Sequence, residues 1–80
     1  MYNVTIKVMP HKGLLDPQGK AVLSSLHNLQ LNNISDVRIG KNITLQIDAS
    51  TANHAKAIAT NAAEKLLANA VMEYFEVTVD

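Results

Sequence analysis

The chain has 80 residues, 48% of them apolar, and reads as a single domain over 1–80, near the size at which one core is barely sufficient. Seven Lys and Arg against seven Asp and Glu leave no net charge at neutral pH, which argues against an electrostatically driven nucleic-acid binder. With no cysteine, disulfides, thiolate metal sites and thiol nucleophiles are excluded.

Residues 2–8 alternate, with Tyr2, Val4, Ile6 and Val8 on one face and Asn3, Thr5 and Lys7 on the other, the period of a half-buried strand. The start M-Y-N-V-T-I-K-V has none of the parts of a signal peptide, and no apolar run approaches the ~20 residues of a membrane span. A cytoplasmic protein without membrane contact is therefore expected. Pro10 and Gly13 mark a loop with His11 and Lys12 at its tip. A helix then starts at L-L-D-P-Q-G-K-A-V, residues 14–22. Asp16 is an N-cap type whose carboxylate can accept from the first turn, and Pro17 at the first helical position lacks only an N–H that would go unpaired. Gly19 falls inside that first turn, where Gly costs about 1 kcal/mol relative to Ala, so something other than helix stability selected it. Val22, Leu26 and Leu29 form the apolar stripe with Leu23 at its flank, and Asn32 and Asn33 are expected to end the helix after Leu31.

Residues 36–39 are predicted as a short strand with Val37 and Ile39 inward, and residues 43–48 as another with Ile43, Leu45 and Ile47 inward. Their parity places Ile39 opposite Ile43 across a loop of Gly40, Lys41 and Asn42, with Asn42 left-handed. A second helix follows, capped by Ser50 or Thr51 and running to about Ala68. Ala52, Ala55, Ile58, Ala59, Ala62 and Leu66 lie along its buried side. Asn69 closes it, and residues 71–79 form a last strand with Phe75, Val77 and Val79 alternating against Tyr74, Glu76 and Thr78. The order β-α-β-β-α-β predicts an α+β, ferredoxin-like two-layer sandwich, an antiparallel sheet in the order 4-1-3-2 with both helices on one face.

Catalytic patterns are absent from the sequence. His11, His27 and His54 have no metal-ligand spacing and read as solvated residues; no G-x-S-x-G, P-loop or G-x-G-x-x-G occurs. Glu73 and Glu76 read as solubilising charges on opposite faces of the sheet. Thr5 and Gln46 stand where an RNA-recognition sheet would need aromatics. Two clusters carry more weight. Arg38, Gly40 and Lys41 could grip a phosphate or an acidic partner, against the plain reading of a polar turn with a basic tip. Leu67 lies about 100° round the second helix from Leu66 and is expected to meet another element or another chain, against the plain reading of a flanking core residue.

L-L-D-P-Q-G-K-A-V at 14–22, D-V-R-I-G-K at 36–41 and E-K-L-L-A-N-x-V-x-E at 64–73 resemble, in that order and spacing, the PurS family, the small subunits of phosphoribosylformylglycinamidine synthase. Ala63 stands where that family often has cysteine, Ala70 where proline is common, and Pro10-His11 departs from its usual loop. The resemblance implies a cytoplasmic amidotransferase of several subunits. A glutaminase subunit releases ammonia, and a large synthetase subunit, which holds ATP and Mg, joins it to formylglycinamide ribonucleotide. A PurS-like chain would bind no cofactor itself, carry no catalytic residue and assemble the other two. Asp16, Pro17, Gln18, Gly19, Arg38, Gly40, Lys41 and Leu67 are then the expected docking residues, Gly19 as a bare patch that a partner's backbone can approach. A rival reading is a ferredoxin-like domain that senses a small molecule, which would need an effector pocket.

Self-association is expected through the fourth strand, a sheet edge without proline, lysine or glycine to guard it, with face-to-face packing of the sheets as the alternative. Tyr74, Glu76 and Thr78 are the residues assigned to that contact, as a homodimer or higher. Glu76 would be offset across the interface by Lys7 or Arg38, and Thr78 would supply an edge N–H.

Overall fold

The computed structural model describes residues 1–13 and 16–80; Leu14 and Leu15, which open the L-L-D-P-Q-G-K-A-V stretch, lie outside the described residues. Strand β1 is Tyr2–Pro10, helix α1 Pro17–Asn28, strand β2 Lys41–Ile47, helix α2 Ala52–Ala62 and strand β3 Glu73–Val79. The three strands form an antiparallel sheet in the order β2-β1-β3. Alternation along β1 does what the sequence predicts: Val4, Ile6 and Val8 are fully buried, and α2 with the turn that continues it lies across the sheet on them through Ala55, Ala59 and Ala63. Small side chains let the helix axis come close to the sheet.

Three expectations fail, each for a physical reason. Residues 36–39 are not a strand, so the predicted hairpin and the 4-1-3-2 order are not formed. Asp36 Oδ1 takes the N–H of Val37 at 2.9 Å and Asp16 Oδ2 takes that of Ile39 at 3.0 Å, so side chains intercept the donors a strand ladder would use. Lys41 and Asn42, expected in the loop, instead pair in β2 with Val8 and Lys7 of β1.

The second failure concerns the layers. Only α2 packs on the sheet; α1 makes no comparable contact with it. Helix α1 and the segment returning from it project as an arm, and the chain measures 51 × 24 × 14 Å with a radius of gyration of 15.9 Å, against about 12 Å for a compact chain of this length. Along the arm, His27 Nε2 is 2.8 Å from the Ile34 carbonyl oxygen, while Leu29 and Leu31 stay exposed. The helix also stops three residues early. Gln30, at φ 71°, is the left-handed residue, and the Leu31 N–H to Leu26 and Gln30 N–H to His27 bonds close the paired C-terminal cap, so Asn32 and Asn33 lie beyond it.

The third failure is the end of the second helix. Residues Ala63–Leu67 continue α2 as one π turn, closed by the Ala68 N–H to the Ala63 carbonyl at 2.9 Å. A π turn takes more residues per turn than an α turn. Leu67, four residues after Ala63, therefore stays over the sheet and packs on the core, while Leu66 is carried out to 83% exposure. The predicted roles of Leu66 and Leu67 are exchanged, and Ile58 sits on the exposed margin.

Candidate functional site

The site forms where the chain crosses one end of the sheet. Asp16 caps α1 as its sequence context predicts: Oδ1 accepts from the Gly19 N–H at 2.9 Å. Its second oxygen accepts from Ile39, so one carboxylate ties the start of the helix to the segment that returns to β2. These two N–H donors, with the Arg38 charge acting in the same sense, hold the Asp16 carboxyl below its ordinary pKa.

Gly19 is explained by that closure. It is buried, and a Cβ there would collide with the carbonyl oxygen of Val37 and with the Asp16 carboxylate. The bare position expected to admit a partner's backbone is filled by this chain's own, which corrects the reading of Gly19 as an exposed docking patch. Gly40 behaves alike: although exposed, it passes so close to β1 that a Cβ would meet the Val8 carbonyl and Met9 sulfur.

A second tie runs from the start of β2 to the turn after the π segment. Lys41 Nζ donates to the Leu67 carbonyl at 3.0 Å and lies 3.8 Å from Glu73 Oε1. That oxygen also accepts from the Asn69 N–H at 2.8 Å, and Asn69 Oδ1 accepts from Val71 at 3.1 Å. Glu73, read from the sequence as a solubilising charge, is a half-buried turn-forming acceptor. Its place as the last residue of the E-K-L-L-A-N-x-V-x-E stretch was the available signal. Leu67 contributes its carbonyl here while its side chain joins the core, so it is not the outward docking residue expected of it.

Between these ties lies an open cleft of about 390 Å³ lined by Pro10, Asp16, Pro17, Gln18, Ile39, Asn69, Met72 and Glu73. Asp16, Pro17 and Gln18 thus meet residues of the other two motif stretches, with Lys41 joined through Glu73. Asn69, Met72 and Glu73 are lining residues that sequence reasoning did not assign to a site. Arg38 lies apart from this cleft: its guanidinium donates to the Pro10 carbonyl and it lines the neighbouring cleft with Lys12 and Lys20. His11, read as solvated, is half-buried with its ring 5.8 Å from that of Tyr74. Among the described residues no group of His, Asp and Glu could hold a metal ion, and the cleft's lining mixes the apolar Pro10, Pro17, Ile39 and Met72 with the polar Asp16, Gln18, Asn69 and Glu73.

Tyr74, Glu76 and Thr78 sit elsewhere. They face Met9, Lys7 and Thr5 of β1 on the side of the sheet away from α2, so Glu76 meets Lys7 within the chain. The Asp80 N–H to Asn3 carbonyl bond, 2.9 Å, sets the alternation: even-numbered residues of β3 direct their N–H groups to β1, and Phe75, Val77 and Val79 direct theirs to the open edge. The Thr78 N–H is therefore internal to the sheet, not an edge donor.

A family model for PurS, described as phosphoribosylformylglycinamidine (FGAM) synthase, matches residues 3–80. The chain is 40% identical over 80 residues to the phosphoribosylformylglycinamidine synthase subunit PurS of Bacillus subtilis, spanning 100% of this chain and 94% of that one. It is 40% identical over 78 residues to the PurS subunit of Mycobacterium leprae, covering 98% and 95%. The solved structure of B. subtilis PurS superposes with a TM-score of 0.90 over 100% of this chain and 99% of the other, the arm included. A chain of the PurLQS structure from Thermotoga maritima superposes with a TM-score of 0.90 at 29% identity, covering 99% and 96%.

Proposed function

The chain belongs to the PurS family of phosphoribosylformylglycinamidine synthase, and on that basis we propose that it is the non-catalytic assembly subunit of this synthase in purine biosynthesis. It bridges the ATP-dependent synthetase and the glutaminase, so that ammonia from glutamine reaches formylglycinamide ribonucleotide. The observation that carries the reading is the meeting of the three motif stretches at one cleft: Asp16, Pro17 and Gln18 with Ile39 and with Asn69, Met72 and Glu73. Stretches far apart in the chain are held together there by their own hydrogen bonds, in a surface with no catalytic constellation among the described residues. ATP and Mg belong to the synthetase, this chain binds no cofactor, and the complex works in the cytoplasm. Family membership leaves the small-molecule sensor without support. A tagged form of the chain is expected to retain both larger subunits from an extract of its own cells, and to hydrolyse neither glutamine nor ATP by itself. Recovery of neither subunit contradicts the assembly role.

The chain also self-associates, in this reading, to cover what it leaves bare. Strands β2 and β3 are both sheet edges, and Leu29 and Leu31 on the arm are exposed. Light scattering is expected to give at least a dimeric mass at tens of micromolar. Val79→Pro removes an outward N–H of β3 without removing a bond to β1, so it converts the dimer to monomer if pairing is through that edge. A dimer unaffected by the proline excludes β3 edge pairing, and a monomeric wild type excludes self-association altogether.

A further inference from the structure

Beside the motif cleft lies a second one, of about 340 Å³, between the loop after β1, the first turns of α1 and residues 36–38. Lys12, Lys20 and Arg38 line it together with Asp16 and Asp36. The two acids are engaged locally: Asp16 by the N–H groups of Gly19 and Ile39, Asp36 by that of Val37. Among the described residues the ion pair is Lys41 with Glu73, and neither Lys12 nor Lys20 has a carboxylate within bonding distance. Arg38 spends one arm on the Pro10 carbonyl. The concavity therefore sets two exposed ammonium groups and part of a guanidinium against two carboxylates already hydrogen-bonded to backbone N–H groups, an excess of one positive charge.

We propose that this cleft receives a carboxylate-bearing loop of a partner subunit, an inference that rests on the assembly role above. A protein carboxylate fits better than a phosphate. Phosphate sites at a helix start use several free backbone N–H groups, and here Asp16 already takes the Gly19 N–H and Pro17 has none. The charges of Asp16 and Asp36 oppose a dianion more than a monoanion. Long lysine side chains reaching from two elements suit an acidic side chain entering from a facing surface, where charge complementarity sets orientation and on-rate.

The test measures association of the full chain with the two larger subunits at about 0.05 M and about 0.3 M salt, a range over which screening between exposed charges changes strongly. Lys12→Glu with Lys20→Glu is expected to weaken binding by about tenfold or more at low salt and to flatten its salt dependence; Lys12→Gln with Lys20→Gln weakens it less. Lys56→Glu, on the exposed side of α2, leaves it unchanged. If the wild type binds and the Lys12 and Lys20 reversals bind equally well, the inference fails and the assembly role stands. Glutamines as damaging as glutamates contradict charge as the cause. A wild type that binds neither subunit overturns the assembly role and this inference with it.

Discussion

Gly19→Ala is expected to destabilise the arm, although helix propensity alone predicts the opposite. In an exposed helix the change would stabilise by about 1 kcal/mol. Here the added Cβ points at the Val37 carbonyl oxygen, a backbone atom that moves only with its whole segment, and at the carboxylate that caps the helix. Overpacking of this kind costs about 1–3 kcal/mol, and relief by displacing Asp16 would also release the Ile39 N–H. The alanine variant should lose helical circular dichroism at lower temperature than wild type, with faster amide exchange across Pro17–Asn28. Because the site depends on the same clamp, its hold on partner subunits should weaken too. A variant more stable than wild type would show that the glycine was selected for something outside this chain.

What the sequence revealed and what it hid divide along the range of the physics. Local instructions were readable: the strict alternation through Val4, Ile6 and Val8, the Asp16-Pro17 start and a cap at Ser50 or Thr51, which falls on Thr51, whose hydroxyl accepts from the His54 N–H at 3.1 Å. Three motif stretches carried the family resemblance, but nothing in them stated that they meet at one cleft. The fate of α1 was not readable. A stripe of Val22, Leu23, Leu26 and Leu29 states that a face wants cover without stating what covers it, and the expected sheet was already occupied by α2.

The same limit explains residues 36–39. Val37 and Ile39 alternate like a strand, but the donors were claimed by carboxylates, one of them 23 residues away at Asp16, and alternation carries no trace of that competitor. The register at Leu66 and Leu67 turned on one π turn, which rotates the end of the helix without changing its composition. Gly19 was singled out correctly as a residue chosen against helix stability. Its reason proved internal, because close approach of a backbone looks alike in the sequence whether that backbone belongs to a partner or to the chain itself.

In its proposed role the chain contributes assembly and no chemistry. That role is tested most directly by reconstituting the synthetase and glutaminase subunits with and without the chain, and comparing glutamine with excess ammonium salt as nitrogen source. Omission is expected to lower the glutamine-dependent rate by about tenfold or more, since bringing two sites together acts through effective concentration. The rate with ammonium salt, which needs no transfer between subunits, should change little. Equal glutamine-dependent rates with and without the chain would contradict that role.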